Sequence, residues 1–347
     1  MTYGLDWFYN GSQSRTQKSL EIAVIAVIDV ESHPGYSLSV QQTPASLAIG
    51  EAKAQNQCQS IRWAMIEQVR QQIEQLPSKA TTQAAEVAVE PTRIDVYLKQ
   101  LQDSLPYLPT RIKHWVVDGF YSKKKFVDGV VALNLQVISK LRSDADMRYL
   151  YTGVQKPRGA TRKYDGKVDL WDLNRLERVR QLEPGLYLYT LVVWHVSLKR
   201  KIRIAAVVDT RKPEKTDIAL LFSTDIDLHS EVILKYYKAR FQIEFIFRDT
   251  KQFTGLCDAQ TRQAQTLDFH FNALLSALNL AKYEDQLRRD PGNQKQPLSF
   301  FSMASYKRFA FNDHLLERFI SMLELNPTLI KSHPNYQNLR SYGIISS

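Results

Sequence analysis

The stretch from His114 to Leu141 constrains the fold more than any other. His114-Trp115-Val116-Val117-Asp118-Gly119 reads as a short apolar strand ending on a carboxylate; Tyr121 to Leu133 follows as a helix and Gln136 to Leu141 as the next strand. Two strands separated by a helix run parallel through a crossover, whereas an antiparallel pair needs only a turn. An α/β fold with a partly parallel sheet is therefore expected. Upstream, Leu20 to Val30 is rich in β-branched residues, and Tyr36 to Gln42 follows the turn signal His33-Pro34-Gly35, which predicts a hairpin.

Around these anchors the pattern is regular enough to place the rest. Ala52 to Leu76 is Gln-rich with Ile61, Met65, Ile66 and Val69 at helical spacing, Pro77 to Pro91 reads as a small-residue loop or linker, and Arg93 to Leu105 as a helix. From Met147 to about Ser223 the pattern changes to short strands and turns, clearest at Tyr187 to Trp194 and Ile202 to Val208, and reads as a β-rich insertion. A helix from about Thr266 to Leu287, a break at Pro291 to Pro297 and a helical piece through Leu323 complete the chain. With 347 residues, 44% of them hydrophobic, the chain can bury a large core. Neither of its two cysteines, Cys58 and Cys257, sits in a CxxC or Cys/His cluster, so a disulfide framework and a zinc site are not expected and a reducing, intracellular protein is. No run of 18 apolar residues occurs, and Met1 to Ser19 lacks a basic-then-apolar signal pattern, which argues against membrane and export readings.

The net charge of +10 is uneven. Between Arg148 and Lys215 there are 16 lysines and arginines against 7 acidic residues, nearly the whole surplus. Localised positive charge points to a polyanion, most simply nucleic acid, although a basic surface can serve solubility alone.

Within the segment from Tyr237 to Lys251, Tyr237, Arg240, Glu244, Arg248 and Lys251 are spaced three, four, four and three residues apart, which puts them on one face of a single predicted helix. Ile233, Leu234, Phe241, Ile243, Phe245, Ile246 and Phe247 surround that stripe, so the helix should be packed within a domain and the stripe should line something. A carboxylate amid these cations stays ionised as a metal ligand must, and the cations suit phosphate. The alternative is an intrahelical salt-bridge ladder on a solvated face.

Asp118, at a strand end, and Glu244 could together hold Mg²⁺, which takes oxygen ligands and stabilises both oxygens of an in-line phosphoryl displacement; equally, Asp118 could be an N-cap for the next helix. Lys123-Lys124-Lys125 is either a phosphate contact or a solvated first turn. Trp171, Trp194, Tyr187 and Tyr189 are interleaved with Lys199, Arg200, Lys201 and Arg203, a pattern that fits base stacking or the core of a small sheet. His270 and Asn272 carry no assignment.

At these residues the chain resembles the IS4-like group of DDE transposases of bacterial insertion sequences. Tyr237-x2-Arg240-x3-Glu244-x6-Lys251 is similar to that group's Y-R-E-K signature, within YYKARFQIEFIFRDTKQFTGL, and VVDGFYSKKKF resembles the segment bearing the second catalytic Asp. The resemblance implies an α/β RNase H-like core, with residues 1–146 and 224–290 as its two parts, a β-strand insertion over 147–223 and a helical C-terminal extension over 291–347. It further implies metal-dependent cleavage of insertion-sequence ends and strand transfer to target DNA, with Asp118 and Glu244 as catalytic ligands of Mg²⁺, Mn²⁺ being able to substitute. Tyr237, Arg240, Arg248 and Lys251 would contact DNA, and Trp171 or Trp194 would take the stacking role of an insertion-domain tryptophan. The implied partners are double-stranded DNA, both terminal repeats and target, and a second copy in a synaptic dimer; the implied setting is the bacterial cytoplasm and nucleoid. The family's first catalytic Asp precedes a segment matching Tyr3 to Asp6, so the resemblance also implies that this chain lacks it, Asp6 and Asp29 being misplaced. A truncated, weakly active or inactive copy is the expectation, with a non-catalytic DNA-binding remnant or regulatory protein as the alternative.

Overall fold

The computed structural model describes residues 2–10, 14–31, 33–43, 92–212, 216–288 and 301–344. The helix expected over Ala52–Leu76, the linker to Pro91, Cys58 and the break at Pro291–Pro297 lie outside these residues. Two compact units are formed, one from Met1–Ile25, Ser39–Tyr107 and Gln260–Phe269, the other from Ala26–Leu38, Leu108–Ala259 and His270–Ser347.

In the first unit, β1 (Asp6–Asn10) and β2 (Arg15–Ser19) make an antiparallel hairpin that sequence reading missed, because Arg15–Ser19 is polar throughout and has no period-two pattern. Helix α1 (Arg93–Ser104) starts at a capping box in which Asp95 accepts the Thr92 backbone N–H at 2.8 Å. The predicted hairpin is present as β3 (Ile22–Ile28) and β4 (Gly35–Gln42), its turn end over Ala26–Leu38 belonging to the second unit.

The second unit is organised by one eight-stranded mixed sheet. Strands β5 (His114–Val116) and β6 (Gln136–Leu141) pair in parallel, joined by α2 (Lys124–Ala132), as the strand, helix, strand pattern requires. The other strands are β7 (Met147–Leu150), β8 (Tyr164–Lys167), β9 (Glu177–Glu183), β10 (Leu186–His195), β11 (Arg200–Asp209) and β12 (Asp217–Ser223). The sheet order is β5-β6-β12-β11-β10-β7-β8, with β9 on β10, and every pairing after the parallel β5–β6 pair is antiparallel. The β-rich stretch therefore continues the sheet, Leu220 of β12 standing opposite Leu141 of β6. Ile138, Leu188, Ala205 and Leu221 come from four of its strands and pack with Ile233 of α3 (Ser230–Ala239), all 2% exposed or less. That burial fixes which face of α3 meets the sheet, and the opposite face is where Lys235 and Lys238 emerge into solvent.

One expectation is corrected. The single helix through Tyr237 and Lys251 is two helices, α3 and α4 (Gln242–Asp249), followed by a π-helical turn over Thr250–Thr254 that ends at Gly255 in the left-handed region (φ 83°). At the junction the bonding tightens, with Phe241 N–H donating to Lys238 O, Ile243 N–H to Arg240 O and Glu244 N–H to Phe241 O. Three-residue closure turns the chain further per residue than α-helical closure does, which rotates the second half of the stripe away from the first. Helices α5 (Ala264–Arg288), α6 (Met303–Met322), α7 (Pro327–Ser332) and α8 (Pro334–Arg340) follow. Among the described residues no helix is long and apolar enough to cross a membrane.

Candidate active site

Asp118 stands two residues beyond β5, where the strand leaves the sheet. Val117 still donates to Ile138 O, and the Asp118 carbonyl accepts the Ser139 hydroxyl at 2.7 Å. Ser139 is fully buried, and its hydroxyl lies 2.9 Å from that of Ser122, which also donates to Lys140 O at 2.8 Å. Gly119 lets this turn sit close on β6, since a Cβ there would stand 3.3 Å from the Lys140 carbonyl. The exposed Asp118 carboxylate accepts the Phe120 N–H at 2.9 Å, capping the short 3₁₀ turn Gly119–Tyr121. Asp118 thus caps a 3₁₀ turn with one oxygen of its carboxylate and does not cap the following helix, α2, whose N-cap is Lys123.

Across from it, α3 supplies Tyr237. Burial pushes the Tyr237 phenol up from its ordinary value; nearby Arg240 opposes the shift and the Asp118 carboxylate adds to it. Both groups are therefore close enough to act on the phenol. The Arg240 guanidinium lies 5.4 Å from the Tyr237 ring centre and 3.7 Å from the Glu244 carboxylate, and its Nε is buried without a hydrogen-bond partner. Tyr237, Arg240 and Glu244 are accordingly neighbours at the α3–α4 junction, and the charge of Asp118 is felt at the phenol.

The rest of the predicted stripe turns elsewhere. Glu244 was expected on a buried helix, but its side chain is 50% exposed, and Phe241 at the helix junction is 49% exposed. Arg248 pairs with the adjacent Asp249 at 2.8 Å and stacks on Phe245, while Lys251 is exposed on the π turn. Tyr237, Arg240 and Glu244 stay neighbours across the helix break, while Arg248 turns to Asp249. Lys123 lies over the Phe120 ring at 4.2 Å, and Lys124 and Arg200 both pair with Asp128, whose carboxyl is held below its usual range first by the Lys124 hydrogen bond. The lysine run is therefore largely occupied within the protein.

The two tryptophans separate clearly. Trp194 is half-buried, 5.8 Å from the Tyr164 ring, whereas Trp171 is 63% exposed and borders a cleft of about 320 Å³ lined by Asp144, Lys167 and Asp169. Tyr187 and Tyr189 lie half-buried in β10, and Arg178 stacks on Tyr187 at 4.6 Å. His270 keeps a buried Nε2 without a partner beside Phe271. Sequence reading missed the Ser122–Ser139 pair that fixes the Asp118 turn. Its one trace is a serine at a buried position of QVISKL, where an apolar residue is the norm.

Among the described residues no group of three or more His, Cys, Asp and Glu could hold a metal ion. Asp118 and Glu244 carry carboxylate oxygens, the ligand type that Mg²⁺ takes when one or two carboxylates bind it and water and substrate phosphates complete the shell. The donors are hard oxygens throughout, so their chemistry suits Mg²⁺ or Mn²⁺ and not a soft metal.

The family model for the transposase DDE domain matches residues 91–280, more than half of the chain, and the chain belongs to that family. Transposases act on DNA, and enzymes of this family use divalent metal ions. No curated protein matches the sequence. The match spans both Asp118 and the Tyr237–Lys251 segment, and the mixed α/β sheet carries the first of these at a strand end.

Proposed function

We propose that this protein is an IS4-like transposase with an RNase H-like core, cleaving insertion-sequence ends and joining them to target DNA with Asp118 and Glu244 as ligands of Mg²⁺. The observation that supports the reading is the grouping of Tyr237, Arg240 and Glu244 at the α3–α4 junction, with the charge of Asp118 acting on the Tyr237 phenol. Bound there, the metal would supply electrophilic stabilisation of the oxygens exchanged at phosphorus. The Arg240 guanidinium, partly exposed, would donate to a DNA phosphate oxygen. Tyr237, whose phenol burial pushes up from its ordinary value, would serve as a neutral hydrogen-bonding group beside Arg240 and not as an acid or base. Lys251 and Arg248 add positive charge along the same strand of DNA, and Trp171, at its open cleft, is better placed than Trp194 to stack on a base.

The test is Mg²⁺-dependent nicking of double-stranded DNA by the wild-type protein and by Glu244→Gln and Asp118→Asn. Nicking should fall by orders of magnitude in both variants with the fold intact by circular dichroism; unchanged nicking overturns the assigned roles. A second reading, DNA binding without cleavage, draws on the basic surplus between Arg148 and Lys215. It is preferred if the wild type binds DNA but never nicks it with Mg²⁺ or Mn²⁺.

A further inference from the structure

Lys282 is a lysine with 7% of its surface exposed, on α5. Its ammonium donates to the Gly35 carbonyl at 2.6 Å and lies 5.9 Å from the ring centres of both Tyr36 and Phe301. The flanking residues of the same helix face grip the same strand. Asn279 uses both ends of its amide, accepting the Ser37 N–H at 3.0 Å and donating to the Ser37 carbonyl at 2.7 Å, as a neighbouring strand would; Gln286 accepts from the Tyr36 hydroxyl at 3.2 Å. Positions 279, 282 and 286 recur at helical spacing, so one stripe of α5 stands in for a strand along the start of β4.

The other side of Gly35 faces α4. A Cβ at Gly35 would stand 3.3 Å from Ile246 Cδ1 and 3.4 Å from Gln242 Cβ, and these two residues bracket Glu244 in sequence. The β3–β4 turn is therefore wedged between α5, which holds it by the Lys282 ammonium, and α4, against which Gly35 packs so closely that a Cβ would crowd Ile246 and Gln242.

We propose that Lys282 is a positioning residue for the candidate site, holding the Gly35 carbonyl so that the β3–β4 turn braces α4 and fixes the direction of Glu244. A buried ammonium is a demanding way to hold a carbonyl. Burial lowers the Lys282 pKa to about 8, while the charge of the buried Asp249 at the end of α4 favours the ammonium; Asp249 itself is paired with Arg248, and Tyr36 is the remaining titratable group against it. The charge thus opposes global stability while serving a local contact, a division expected of a group whose role is orientation.

The catalytic part of this inference rests on Glu244 being a metal ligand; the brace does not. The experiment is hydrogen exchange by mass spectrometry on wild type, Lys282→Met and, from the opposite side of the junction, Gly35→Ala, together with nicking titrated against Mg²⁺. In either variant, amides of α4 and of the β3–β4 turn should exchange about tenfold faster while β10 and β11 keep their protection. Lys282→Met should need roughly tenfold more Mg²⁺ for half-maximal nicking, without losing global stability. A merely structural residue would not weaken the metal response while leaving the unfolding midpoint undiminished. Unchanged exchange in α4 in both variants overturns the brace, and an unchanged Mg²⁺ requirement in an active enzyme overturns the positioning of Glu244. If the wild type never nicks DNA, the functional reading fails, and faster exchange in α4 still supports the brace.

Discussion

The Ser139 hydroxyl has no exposure to solvent and is donated to the carbonyl of Asp118, so the backbone at the candidate ligand is tied to β6 by a side chain. Replacing it with alanine would leave that carbonyl to find water, which it can do because Asp118 is exposed. The expected cost is about 1 kcal/mol, near the net worth of one hydrogen bond. It should appear as a lower urea midpoint at unchanged slope, and nicking should fall by more than the loss of folded protein explains. Lys282 makes the opposite point, that a single residue can be held in place against the stability of the whole. Its pKa is lowered to about 8 in the fold from the ordinary 10.5. The unfolded chain therefore binds more protons between those values, and the free energy of unfolding rises with pH through that window. Below pH 8 both states carry the charge and the penalty is fully present; above 10.5 it is gone. The linkage amounts to roughly 2–4 kcal/mol. Denaturation of wild type and Lys282→Met at pH 7.5 and 10.5 should show the difference between them shrinking by that amount, and parallel curves would mean the lysine is not buried as charged.

Between elements, the parts legible in the sequence are those written in local pattern, and the parts hidden are those set by packing between distant segments. The crossover from β5 through α2 to β6 could be read because apolar strands and a helical period alternate within a few dozen residues. The break between α3 and α4 could not, since Ala239-Arg240-Phe241-Gln242 holds neither glycine nor proline and both central residues stay in the right-handed helical region. For the candidate site, the spacing of Tyr237, Arg240 and Glu244 was enough to bring those three together, because they straddle the junction within two turns. Arg248 diverged because its neighbour Asp249 is buried and takes the guanidinium. The grip of α5 on β4 was equally hidden, because Lys282 and Gly35 are 247 positions apart and no period marks a lysine whose partner is a carbonyl. Asn279→Ala tests that grip as an element-level device: it removes both bonds to Ser37 and strands an N–H and a C=O in a half-buried place, with an expected loss of about 1–3 kcal/mol. Asn279→Asp should recover little of it, because a carboxylate accepts from the N–H but cannot donate to the carbonyl.

For the molecule as a whole, the question is where DNA would lie. Much of the insertion's charge is already committed within the protein, since Arg162 and Arg175 pair with Asp165, Arg180 with Glu231, and Arg211 with Asp209, whose carboxyl that arginine holds down to about 2. Exposed Lys156, Arg158 and Lys163 lie in the connection from β7 to β8, at the edge of the sheet. If that side of the sheet carries duplex DNA, each of these cations that meets a phosphate releases condensed counterions, and the salt slope of binding is a direct measure of how many do. Replacing all three with glutamine should make the slope of log K against log salt less steep by about 0.9 for each phosphate left without its cation, up to roughly 3 units, and weaken binding to all duplex sequences alike. The control is Lys99→Gln on α1, a lysine paired with Asp103, which should leave the slope as it was. A triple variant with wild-type slope would move the DNA path away from the β7–β8 connection and toward the exposed Lys238 of α3 and Lys251 of the π turn, close in sequence to Tyr237 and Glu244.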